Sequence, residues 1–132
     1  MKQHNRFMAS VVTALAAALS LSVAQPAQAG PGEWDDLGRY HVYYDSTYRT
    51  AAVESAGGDF KACIYTAATV PGDSYDLYEA DEGHDWDLVA YATGPGCWTF
   101  RDIGRWVDGS NHRAEFFIGT EDAEMMSVQY YD

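Results

Sequence analysis

The sequence predicts an all-β chain folded as an antiparallel β-sandwich of about eight strands with one disulfide. Three observations carry that expectation. After residue 30, apolar side chains recur at every second position in most segments, the mark of half-buried strands. The clusters Gly57-Gly58-Asp59, Pro71-Gly72-Asp73, Gly94-Pro95-Gly96 and Asp108-Gly109 cut the chain into short pieces, and short strands at such spacing suit a sandwich. Ten tyrosines and four tryptophans suit a pleated surface on which aromatic rings pack well.

Residues 39–45 alternate, with Tyr40, Val42 and Tyr44 on one face. Residues 50–56 form a weaker, alanine-rich strand that Gly57-Gly58-Asp59 ends. In residues 60–66, Phe60, Ala62 and Ile64 take one side and Cys63 and Tyr65 the other. Beyond the Pro71-Gly72-Asp73 turn, residues 75–80 and 88–92 are strands flanking an acidic loop. Gly94-Pro95-Gly96 breaks the chain before residues 97–100, and residues 102–107 are the one place where a helical turn fits. Asp108-Gly109 is a strong turn dipeptide ahead of residues 112–118. The last strand, residues 125–131, sets Met126, Val128 and Tyr130 against Ser127 and Gln129.

Residues 1–29 have the form of a signal peptide. Lys2 and Arg6 supply the positive head, residues 8–21 are almost wholly apolar or small, and Ala27-Gln28-Ala29 offers a small-x-small cleavage site. The apolar run is too short to span a bilayer and no stop-transfer run follows. The expectation is a secreted, extracellular protein, with residues 30–132 as a single β-sandwich domain. Cleavage removes two of the eight basic residues and none of the 20 acidic ones, which leaves a net charge of −14. Such a field repels phosphate backbones and anionic head groups, so nucleic acid and membrane insertion are not expected.

Cys63 and Cys97 are the only cysteines. In an oxidising compartment two cysteines in a small domain most simply form one structural disulfide. A metal-binding role would call for further cysteines or histidines at short spacing, which are missing.

The densest chemical feature is the run from Tyr75 to Ala90, YDLYEADEGHDWDLVA. Glu79, Asp81, Glu82, Asp85 and Asp87 crowd one connection between strands. Clustered carboxylates repel each other, and a hard divalent cation such as Ca²⁺, which takes six to eight oxygens from flexible loops, relieves that repulsion. Glu79, Asp81, Asp85 and Asp87 are therefore the candidate metal ligands, with calcium as the candidate cofactor. The same residues also suit a solvated hairpin loop that binds nothing.

The spacing of Glu79, Asp81 and Asp87, followed by Leu88-Val89-Ala90, resembles a loop of the calcium-binding β-sandwich domains of protein kinase C and synaptotagmin. The first acid is a Glu where that family has Asp, and Asp35, Asp36 and Asp45 are the only stand-ins for its partner loop. The phrases Val42-Tyr43-Tyr44-Asp45-Ser46-Thr47-Tyr48-Arg49 and Ser127-Val128-Gln129-Tyr130 also look like parts of a βγ-crystallin motif, with Thr50 in place of its glycine. These resemblances imply, at most, a calcium-binding β-domain.

Catalytic constellations are missing. His41, His84 and His112 are scattered, no G-x-S-x-G occurs, and acids are too abundant to single out a pair for glycoside hydrolysis. The expected function is binding without catalysis, to an extracellular protein or glycan. Tyr43, Tyr65, Tyr78 and Tyr91 are candidates for stacking on sugars or a protein partner, or for packing between strands. Alternatives are a secreted protease inhibitor presenting the disulfide-anchored loop at residues 93–98, and a small extracellular hydrolase.

Overall fold

A computed structural model describes residues 33–132 apart from Glu82 and His84. The signal segment expected at residues 1–29 lies outside the described residues. Ten strands follow one another: β1 (Asp36–His41), β2 (Tyr43–Asp45), β3 (Thr47–Arg49), β4 (Val53–Ser55), β5 (Phe60–Thr66), β6 (Tyr75–Glu79), β7 (Asp87–Ala92), β8 (Gly96–Phe100), β9 (Ala114–Thr120) and β10 (Met125–Tyr131). A 3₁₀ turn, Ile103–Trp106, sits where a helical turn was expected. Sheet A has the order β1-β10-β5-β8 and sheet B the order β2-β3-β9-β6-β7, with β4 also on β9. All pairings are antiparallel. None of the described helices is long and apolar enough to cross a membrane.

Period-two alternation explains which side chains enter the space between the sheets. Phe60, Ala62 and Ile64 of β5 meet Val128 and Tyr130 of β10 within sheet A. They face Tyr75 and Leu77 of β6 and Phe116 and Ile118 of β9 in sheet B. These side chains are almost wholly buried, each worth about 1.5–3 kcal/mol when large. Tyr130 crosses the interior: its hydroxyl accepts from the Ile118 backbone N–H at 2.8 Å and bonds the Thr50 hydroxyl at 2.6 Å. A polar tip inside the core is thereby satisfied, and it ties sheet A to sheet B.

Among the described residues ten strands form where eight are expected, because the run at residues 39–45 divides in two and a further short strand, β3, follows it. The chain leaves sheet A after His41, where the Val42 N–H still bonds the Met126 carbonyl, and enters sheet B as β2. Ser46, in the left-handed region at φ 58°, then reverses it into β3. The last strand also departs in detail from strict alternation. A register shift between Met125 and Ser127 turns Met125 inward and leaves Met126 exposed, so Met126 does not share a face with Val128 and Tyr130.

Cys63 and Cys97 form the disulfide, facing each other in register across β5 and β8 with Cα atoms 3.9 Å apart. Because Phe60, Ala62 and Ile64 point inward, Cys63 points to the outer face of sheet A, and the bridge fastens edge strand β8 to the central strand β5.

Candidate functional site

Strand β6 presents its two faces to two different environments. Leu77 and Glu79 lie opposite Ile118 and Phe116 and point inward, whereas Asp76 and Tyr78 lie opposite Gly119 and Phe117 and point outward. Alternation therefore drives a glutamate, not an apolar residue, into the end of the sandwich. Glu79 is only 1% exposed, and its Oε1 has no hydrogen-bond partner. A carboxylate oxygen of Glu79 and oxygens of Asp81 and Asp108 lie within 4.8 Å of one another. Burial, followed by the charge of Asp81, pushes the Glu79 carboxyl up from 4.5 to about 7, with the Glu115 backbone acting in the opposite direction.

The three acids arrive from two places. Glu79 and Asp81 bracket Ala80, whose N–H bonds the Glu115 carbonyl of β9 at 2.8 Å. Asp108 stands before β9 in an isolated bridge to Arg113. Of the expected ligands, Glu79 and Asp81 are brought together. Asp85 is exposed in the loop, and Asp87 opens β7 opposite Glu79, also exposed; neither belongs to the converging group. In sequence Asp108 has only the character of a turn residue, and nothing local marks it as a partner of Glu79. Three carboxylates with oxygens within 4.8 Å of one another form a hard-oxygen donor set of the kind that Ca²⁺ takes.

The same loop reaches the outer face of sheet B through Trp86. Its ring stands against Phe117 at 4.9 Å and 78°, and against Tyr78 at 6.1 Å. Tyr78 stacks on Phe117 at 5.4 Å and 21° and lies over Gly119, where an added Cβ would come within 3.0 Å of its ring. The Arg49 guanidinium lies 4.6 Å from the Trp86 ring centre, 4.9 Å from Tyr43 and 5.2 Å from Phe117, and pairs with Asp45 at 2.9 Å. Phe117 is consequently buried although it points away from the core.

Beside these rings a cavity of about 240 Å³ is lined by Thr47, Asp73, Ser74, Asp76, Tyr78, Thr120 and Glu121, together with Gly72. Its wall is braced by the Thr47 hydroxyl on the Thr120 carbonyl at 2.8 Å and the Thr120 hydroxyl on the Ser74 carbonyl at 2.6 Å. Asp76 Oδ1 is buried without a hydrogen-bond partner. Opposite Asp76 on β7, Tyr91 is 64% exposed. Of the tyrosines singled out in the sequence, Tyr43, Tyr78 and Tyr91 thus share sheet B. Tyr65 lies on sheet A, under the Arg39 guanidinium at 4.3 Å. Of the loop expected at residues 93–98, residues 93–95 carry the chain from sheet B to sheet A and residues 96–98 belong to β8, with the Trp98 indole N–H closing the connection on the Gly94 carbonyl at 2.8 Å.

A family model described as the YndA coiled coil domain matches residues 36–130. The "Uncharacterized protein YndA" of Bacillus subtilis (strain 168) is 40% identical over 117 residues, covering 86% of this chain and 85% of that protein. No solved structure matches the chain. Across the matched span the described residues form strands and one 3₁₀ turn, so the helical packing in the family's description is not the architecture of this chain. By the extent of both matches, the chain belongs to the YndA coiled coil domain family.

Proposed function

We propose that the chain is an exported, non-catalytic binding domain whose ligand is an extracellular glycan, held on the outer face of sheet B. The observation that carries this reading is the cavity beside the rings, with the partnerless Asp76 Oδ1 in its lining. A buried acceptor without a donor is costly, and sugar hydroxyls are donors. Asp73 and Glu121 add acceptors, and Tyr78 adds a ring to the wall. Tyr91 offers an apolar face on which the C–H side of a sugar stacks. Residues 1–29 support export through their charged head, apolar core and cleavage pattern.

A glycan array followed by calorimetry with the best oligosaccharide tests the proposal. Tyr91→Ala and Asp76→Asn are each expected to weaken binding about tenfold or more, since a stacking contact and a charge-assisted hydrogen bond each contribute roughly 1–3 kcal/mol. A blank array, or binding indifferent to both substitutions, overturns the reading.

A further inference from the structure

Glu79 differs from Asp81, Asp85 and Asp87 in being almost wholly cut off from solvent. Its side chain is almost fully enclosed, Oε1 lacks a hydrogen-bond partner, and two more carboxylates converge on it. The ion pairs among the described residues, Arg49 with Asp45 and Arg101 with Asp59, leave these three acids unneutralised. A buried carboxylate normally has a counter-charge or a donor. An arrangement that brings two like charges to it is favourable only when something positive sits between them.

We infer that Glu79, Asp81 and Asp108 bind one calcium ion, and that the ion, by holding Asp81, anchors the connection ahead of Trp86 so that Trp86 covers Phe117. The burial gradient fits an ion entering from solvent: Glu79 forms the enclosed floor, Asp81 is half-buried and Asp108 is exposed. The three carboxylates supply three to six oxygens, and water completes a shell of six to eight through the Asp108 side. Magnesium fits less well, because it demands a tight octahedron and sheds water reluctantly. The ligands come from the end of β6, the connection after it and the connection before β9, so the ion staples segments distant in sequence. Asp81 and Trp86 share the first connection, and that links the ion to the aromatic face. The consequence for ligand binding rests on the glycan reading above; the ion site does not.

The experiment is a calcium titration of the chelator-treated protein, followed by calorimetry, thermal unfolding and tryptophan emission, with magnesium in parallel. One ion per chain is expected, with a melting point raised by about 10–20 °C at a hundredfold excess over Kd and a much smaller effect of magnesium. Asp81→Asn and Asp108→Asn each weaken calcium at least about tenfold, because ligand charge sets affinity in such sites; Asp85→Asn leaves it unchanged. The emission change disappears in Trp86→Phe, while the heat of binding remains. A melting point unmoved by millimolar calcium, or binding that Asp108→Asn leaves intact, overturns the site. Saturation with no change at Trp86 overturns the link to the aromatic face. Calcium binding by a protein whose glycan array is blank upholds the site and sinks only the glycan reading.

Discussion

Trp86 stands edge-on to Phe117, with ring centres 4.9 Å apart and planes at 78°. The contact joins the acidic connection to the middle of sheet B and gives an outward-pointing phenylalanine the burial of a core residue. Three groups maintain it: Tyr78 stacked on Phe117, Arg49 over Phe117 and Trp86, and Tyr43 beneath the same guanidinium. The outer face of the sheet therefore carries a small second apolar layer, held by a cation and rings.

Removing the lid of that layer should be measurable. Trp86→Ala is expected to destabilise the protein by about 1–3 kcal/mol, less than a fully buried tryptophan because the ring is partly exposed. Arg49→Lys should cost about 1–2 kcal/mol although the charge is kept, since an ammonium cannot stack flat between rings. Urea unfolding midpoints check both, and an Arg49→Lys midpoint equal to wild type would show that charge alone is at work.

Gly119 makes room for Tyr78. A Cβ there would come within 3.0 and 3.2 Å of two ring carbons of Tyr78, and the tight stack on Phe117 leaves the ring little freedom to move. Gly119→Ala should therefore destabilise by about 1–3 kcal/mol through overpacking. Combined with Tyr78→Ala, the cost of the extra methyl should largely vanish, a non-additivity that a double-mutant cycle reads directly.

Much of this architecture is legible in the sequence where one rule acts alone. Residues 60–66 and 125–131 have the bounds of β5 and β10, the two central strands of sheet A, because alternation there meets no competing turn. Strand β3 is hidden because Asp45-Ser46 contains no glycine, and yet Ser46 takes the left-handed conformation and reverses the chain. Met126 is misplaced by alternation because one extra residue inverts the face. In the candidate cation site, Glu79 and Asp81 are visible as part of an acidic run. Asp108 is not, since only the pairing of β6 with β9 brings its connection alongside. The burial of Phe117 is likewise invisible locally, because Trp86 and Arg49 come from other strands and connections.

The disulfide closes a loop of 34 positions between an edge strand and a central one. Chain entropy assigns it about 3.5–4 kcal/mol. Replacing both cysteines with serine should lower the unfolding free energy by roughly that amount, while the far-ultraviolet circular dichroism stays that of a β protein. Intact mass two hydrogens below the reduced formula, with no alkylatable thiol, checks that the bridge forms in solution.

Glu79 gives stability a pH dependence of defined sign. Its carboxyl titrates at about 7 in the folded chain and near 4.5 when solvated. Between those values the native state keeps a proton that the unfolded chain has released, so stability falls as pH rises through this window. Below about pH 4.5 both states are protonated and the penalty is absent; above about pH 7 it is complete. Glu79→Gln mimics the protonated acid. It should stabilise the calcium-free protein by about 1–3 kcal/mol at pH 8 and change little at pH 4.5. Urea midpoints across this range, in the presence of chelator, read the difference. A Glu79→Gln curve parallel to wild type would mean that Glu79 is solvated in solution and carries no buried charge. Saturating calcium should flatten the wild-type curve between about pH 4.5 and 7, because the ion neutralises the charge that burial penalises. The same calcium should stabilise the glutamine variant less than wild type, because one charged ligand of the three is gone.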